Sequence, residues 1–272
     1  MSLPLLFDDA AIFPPGNLPL AEAVRAHLAH GVAPYADLVG PLVVALADLP
    51  AMAEASADLP AATVDLSVTV PSPADIAGAV ERSARVRAVR LVALEVAVPE
   101  GVAPTEVVPA IDAALGVLDR ETVPTVYVEL PRDERRDALV AALAGTPYRA
   151  KLRTGGVRAE LYPDEAELAA AVVALARAGV PFKATAGLHH AVRNTDPATG
   201  FEQHGLLNLL AATEAATQGA GVEEVAALLA VREAERLPRP TGGLFGSVGT
   251  CSIDEPVAEL TALGLLTPEA AR

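Results

Sequence analysis

Lysine is almost missing from this chain. Of 20 basic side chains in 272 residues, only Lys151 and Lys183 are lysine, and the rest are arginine. Arginine supplies charge equally well but does not release its proton. Any chemistry that needs a neutral amine near neutral pH is therefore confined to these two positions. Cysteine is reduced to Cys251 alone, which excludes an intramolecular disulfide and a cysteine-based zinc site. Tryptophan is absent and aromatics are 3% of residues, so a core must be built from Ala, Val and Leu. Positive charge is outnumbered, and a net charge of −15 argues against nucleic acid or an anionic membrane as partner. No apolar run approaches ~18 residues without a charge or proline, and Asp8 and Asp9 interrupt the N-terminus before any leader pattern could form. The expectation is a soluble cytoplasmic protein with no targeting segment and no membrane span.

What is present is a βα rhythm. Hydrophobic residues make up 52% of a chain of single-barrel length. Strands are expected at 3–9, 41–46, 63–70, 91–98, 125–130, 149–153 and 182–188, with helices over 20–30, 49–56, 72–85, 105–118, 132–144 and 164–178 between them. Several strands alternate strictly. Val64, Leu66, Val68 and Val70 share one face, opposite Thr63, Asp65, Ser67 and Thr69. Short connections without hairpins point to parallel βαβ units. Polar residues recurring at one parity favour an α/β (β/α)8 barrel of TIM type over a doubly wound sheet, with the site at the C-terminal strand ends. Residues 189–243 break the rhythm. A polar loop to Gln203, helices over 204–218 and 222–235, and a break at Pro238, Pro240, Gly242 and Gly243 read as an irregular helical insertion between the seventh and eighth strands. That insertion is expected to cover the barrel mouth or build a subunit contact near it. The eighth strand is placed at 244–250 and a closing helix at 253–265, making residues 1–272 one domain.

The two lysines open matching runs, Lys151-Leu152-Arg153-Thr154-Gly155 and Lys183-Ala184-Thr185-Ala186-Gly187. The competing reading is that each lysine simply belongs to an ion pair. The runs resemble those of deoxyribose-phosphate aldolases, which carry a Schiff-base lysine in Lys-x-x-Thr-Gly on the sixth strand and a second lysine in Lys-Ala-Ser-Gly-Gly-Ile on the seventh. Phe245-Gly246-Ser247 is similar to that family's phosphate-loop segment, and Glu95 stands weakly for its strand aspartate. Ala186 replaces a family glycine, and His189 and His190 replace a basic glycine turn. The resemblance covers about a dozen residues. It implies class I aldolase chemistry without implying the same substrate.

A free lysine near pKa 10.4 leaves about one amine in 2,500 neutral at pH 7. A neighbouring cation would lower that pKa, so Lys151 is expected as nucleophile and Lys183 as the perturbing cation, with the reverse assignment open. Glu95 and Glu129 share the inward parity and are candidate proton carriers, or charge balance for the lysines. Arg153 could clamp a carboxylate or phosphate, or pair with Glu129. Thr154, Thr185, Gly187, Gly246 and Ser247 are candidate substrate contacts at strand ends. His189 and His190 are candidate substrate contacts on a βα loop. With His204 and Asp8 or Glu95 they also offer metal-ligand types, but their spacing matches no metal motif, so no metal and no cofactor is assigned. The reading is a Schiff-base-forming lyase acting on a small oxo compound, phosphorylated or carboxylated or neither. The alternatives are a lysine acid/base isomerase or epimerase, metal-assisted or not, and an inactive barrel that binds a ligand or partner. A small-molecule substrate is the expected partner, and a homo-oligomer is left open.

Overall fold

The computed structural model describes residues 6–116, 123–239 and 243–266. The expected strand start at Leu3–Leu5, the helix end at Leu118 and the break at Pro240 and Gly242 lie outside the described residues.

In chain order the first half comprises β1 (Leu6–Asp9), α1 (Leu20–His30), β2 (Val39–Ala45), α2 (Leu49–Ala55), β3 (Val64–Val70), α3 (Ile76–Ala84), β4 (Val89–Val96) and α4 (Pro104–Leu115). There follow β5 (Thr125–Glu129), α5 (Arg135–Leu143), β6 (Arg149–Arg153), α6 (Glu165–Ala178) and β7 (Phe182–Thr185). The chain ends with the short hairpin β8 (Asn194–Thr195) and β9 (Glu202–Gln203), then α7 (Leu206–Thr217), α8 (Val222–Leu229), β10 (Phe245–Thr250) and α9 (Asp254–Ala262). Strands β1 to β7 and β10 pair in parallel around a closed barrel, with β10 between β7 and β1. This is the expected (β/α)8 architecture.

Local chemistry sets the elements. The Asp164 carboxylate accepts the Glu167 N–H at 2.8 Å to cap α6, and Gly179 ends that helix at φ 65°. Pro181 then prevents the helix from resuming. Outward strand residues such as Leu66, Val68, Leu94, Val96, Val128 and Ala150 are fully or almost fully buried between barrel and helices. Burial on the order of 25 cal/mol per Å² of apolar surface is what holds the helical ring to the barrel.

Two features correct the sequence reading. Between β7 and β10, α7 buries most of its length, including Leu206, Leu209, Leu210 and Ala212, and packs with α8 against α6. These helices are the seventh outer layer of the barrel and a brace on it. They do not form a lid, because of the residues from 189 to 239 only His189 lines the mouth. The second correction is at β10. Phe245 pairs with Phe182 and stacks on its ring at 5.2 Å, whereas Ser247 already pairs with Lys183. Gly246 is therefore the extra residue of a bulge at the start of the strand, and it lets both Phe245 face the helices and Ser247 face inward.

Among the described residues, no helix is long and apolar enough to cross a membrane.

Candidate active site

Parity and register assemble the site. Glu129 pairs with Lys151, and Lys151 with Lys183, on β5, β6 and β7. All three side chains therefore project into the barrel. Glu95, on β4, projects the same way and lies between the lysines. Its Oε2 is 2.9 Å from Lys151 Nζ and its Oε1 accepts from Lys183 Nζ at 2.6 Å and from the Ser67 hydroxyl at 2.9 Å. Lys151 Nζ is also 2.9 Å from Glu129 Oε2. Lys183 donates in addition to Asp8, which accepts the Ser247 hydroxyl at 3.1 Å. Lys183 Nζ lies 5.1 Å from the centre of the Tyr127 ring. The result is a continuous chain of contacts: Glu129, Lys151, Glu95, Lys183, Asp8.

This network changes the expected electrostatics. Burial opposes the charged form of Lys151, but the Glu95 and Glu129 carboxylates outweigh burial and the repulsion of Lys183, so its pKa is raised. The expected lowering by a neighbouring cation is overruled by two neighbouring anions. Lys183 is raised as well, since Asp8 and Glu95 overcome its burial. Burial alone would push the Glu95 carboxyl up, yet the two ammonium groups hold it well below the usual carboxylate range. Burial pushes the Asp8 carboxyl up, against the pull of Lys183 and Ser247.

A cavity of about 730 Å³ opens over this network at the C-terminal strand ends. Lys151, Glu95, Glu129, Arg153, Thr185 and His189 all line it. Lys183 does not, and its side chain is 0% exposed against 8% for Lys151. The lysines thus share a direction but not access. Arg153 reaches the cavity with its side chain 43% exposed, 3.9 Å from Glu129 and donating to the Gly155 carbonyl at 3.2 Å.

Other expected contacts have different work. Thr154 is buried and donates to the carbonyls of Ala186 at 2.7 Å and Thr185 at 3.2 Å, tying the ends of β6 and β7 together. Gly187, at φ 71°, abuts Gly155, where an added Cβ would come within 2.8 Å of the Gly187 Cα. The glycine pair of the two lysine runs is thus a backbone contact. Gly246 sits at the bulge away from the mouth, and Ser247 is buried beneath the cavity on Asp8. The segment likened to a phosphate loop therefore lies at the start of its strand and does not line the cavity. His190 turns to Glu259, 2.6 Å away, and His204 to the Pro163 carbonyl at 2.8 Å. Asp65, grouped with the inward residues by parity, is bound to Arg90 at 2.7 and 2.6 Å near the open start of β3. Among the described residues, no three His, Cys, Asp or Glu side chains are grouped to hold a metal ion.

Sequence reasoning missed Asp8 as the partner of Lys183. Its signal was the paired carboxylates ending β1, but their parity could not be tied to that of β7 until the barrel closed. Gly40 is part of the same arrangement, because a Cβ there would lie 2.1 Å from an Asp8 carboxylate oxygen. Cys251 was also missed as a lining residue. Its Sγ is 3.8 Å from His189 Nδ1, burial pushes its thiol up, and burial lowers the His189 imidazole against the opposing pull of Glu255.

Comparison of the chain with protein-family models, with curated proteins and with solved structures gave no match.

Proposed function

We propose that this barrel is a Schiff-base-forming lyase of class I aldolase type, with Lys151 as nucleophile. The observation that carries the proposal is that Lys151 is the lysine at the cavity wall, within 2.9 Å of two carboxylates, while the other lysine is sealed beneath it. Glu129 is the group suited to take the Lys151 proton. Its Oε2 lies 2.9 Å from Lys151 Nζ and its side chain is 25% exposed at the cavity, whereas Glu95 is held anionic by two ammonium groups. The neutral Nζ attacks a carbonyl carbon, and the carbinolamine loses the oxygen as water to give an iminium. The bond between the carbons α and β to the iminium carbon then breaks, its electron pair moving into the iminium to leave an enamine on Lys151. The departing fragment leaves as an aldehyde when its hydroxyl gives its proton to a carboxylate. Protonation of the enamine and hydrolysis of the imine return Lys151. Lys183 and Asp8 hold Glu95 in place throughout and act as positioning residues. Arg153 at the wall suits a carboxylate or phosphate on the substrate.

Borohydride with a panel of aldehydes and ketones tests this reading by intact mass, which two lysines make simple to interpret. An adduct on Lys151 that disappears in Lys151→Arg is expected, because guanidinium forms no imine. An adduct on Lys183 alone would reverse the roles. The raised Lys151 pKa favours a second reading, in which the ammonium is a general acid for an isomerase or epimerase. Exchange of a substrate α-proton with solvent, with no adduct on either lysine, would select it.

A further inference from the structure

The charged groups described above occupy the β4 to β7 side of the cavity. The opposite wall is different. Among the described residues that line the cavity from the β1–α1 loop through α3, only Thr69 and the exposed Arg82 have polar side chains. The rest of that wall is apolar and includes Phe13, Val43, Ala45, Leu46 and Val70. Two of these, Val43 and Val70, are buried, while Leu46 and Phe13 are half-buried and still present surface to the cavity. At about 730 Å³ the space also falls in the range that encloses a drug-sized ligand, far more than a short oxo compound fills. A polyhydroxylated substrate would lose water from each hydroxyl against this wall and find as side-chain partners only Thr69 and, at the solvent edge, Arg82, which is costly for every hydroxyl left unmatched. A hydrocarbon segment loses nothing there and leaves water.

We propose that the wall from the β1–α1 loop through β3 is a binding subsite for a hydrocarbon end of the substrate. The carbonyl would lie at Lys151 and the apolar end would extend toward Leu46 and Phe13. The inference rests on the Schiff-base reading only for the position of the carbonyl. The cavity wall carries the rest.

The test uses calorimetric titration of the intact protein with straight-chain alkanols, which cannot form an imine, and with erythritol as the polyhydroxylated counterpart of butanol. Affinity is expected to rise with chain length from butanol to octanol, by up to about fourfold for each methylene buried. Erythritol is expected to bind more weakly than butanol. Leu46→Asp should reduce octanol affinity. Ala47→Asp, at an exposed lining position, makes the same test without burying a charge if the first variant does not fold. Erythritol binding as tightly as butanol, or octanol binding unchanged in the folded variants, would overturn the subsite. Alkanol binding with no aldehyde trapped on Lys151 would instead sink the lyase reading and leave the subsite standing.

Discussion

Lys151 and Lys183 are register partners on adjacent strands, each opening a run of similar composition, yet their surroundings differ. Lys151 meets Glu95 and a partly exposed Glu129 at the cavity wall. Lys183 is fully buried between Asp8, Glu95 and the Tyr127 ring. Local sequence made the lysines look alike, and strands distant in sequence made them different. β1 and β10 bring Asp8 and Ser247 to Lys183, while β5 brings a glutamate that can still exchange with the cavity. The bland expectation that each lysine sits in an ion pair is met, and so is the expectation that both point inward. The two are compatible because the ion pairs share one carboxylate, Glu95.

The largest expected effect separates the lysines by stability. Lys183→Met should cost about 3–5 kcal/mol, since it leaves Asp8 without its cation and Glu95 with only one in a dry interior. Lys151→Met should cost about 1–3 kcal/mol, because Glu95 keeps Lys183 and Ser67 and Glu129 can turn to water. Urea denaturation at neutral pH measures both. Equal losses would mean that the burial contrast has no energetic meaning.

The alkaline limb of stability sharpens the same contrast. Both lysines have folded pKa values raised above the ~10.4 of an unfolded chain. A raised folded value means that their stabilisation is complete below ~pH 10.4 and is lost as pH climbs through the higher folded values. The slope is up to about 1.4 kcal/mol per pH unit for each lysine; arginine adds nothing in that range, and Tyr35 and Tyr148, raised by burial and by Asp254 and Asp112, add a limb of the same sign that Lys183→Met leaves in place. Lys183→Met should flatten this limb. A variant as steep as the parent would show that Lys183 contributes nothing to that limb.

The smallest effect tests the strand end beyond Lys183. Ala186 lines the cavity at φ 67°, a conformation that L side chains adopt at a cost of about 1–2 kcal/mol. Thr154 holds this turn through the Ala186 carbonyl. Ala186→Gly should stabilise the protein by about 1 kcal/mol after the greater freedom of glycine in the unfolded chain is offset. Thermal or urea unfolding reads the gain, and a loss would mean that the Ala186 methyl packs well enough to outweigh its backbone.

By itself, the sequence determined the barrel, the inward parity of Lys151, Lys183, Glu95 and Glu129, and the mouth at which Arg153, Thr185 and His189 gather. Those properties depend on period-two and helical patterning, which neighbouring residues carry. Tertiary structure alone decided the rest. A bulge at Gly246 turned Ser247 inward onto Asp8, beneath the cavity, and register shifts of this kind leave no periodic trace. The segment 189–243 read as a cover for the mouth or a subunit contact near it, but α7 is buried on nearly every side and is a middle layer, away from the mouth. The raised pKa of Lys151 followed from anions arriving on other strands, because electrostatic interactions depend on distance in space and not on separation along the chain.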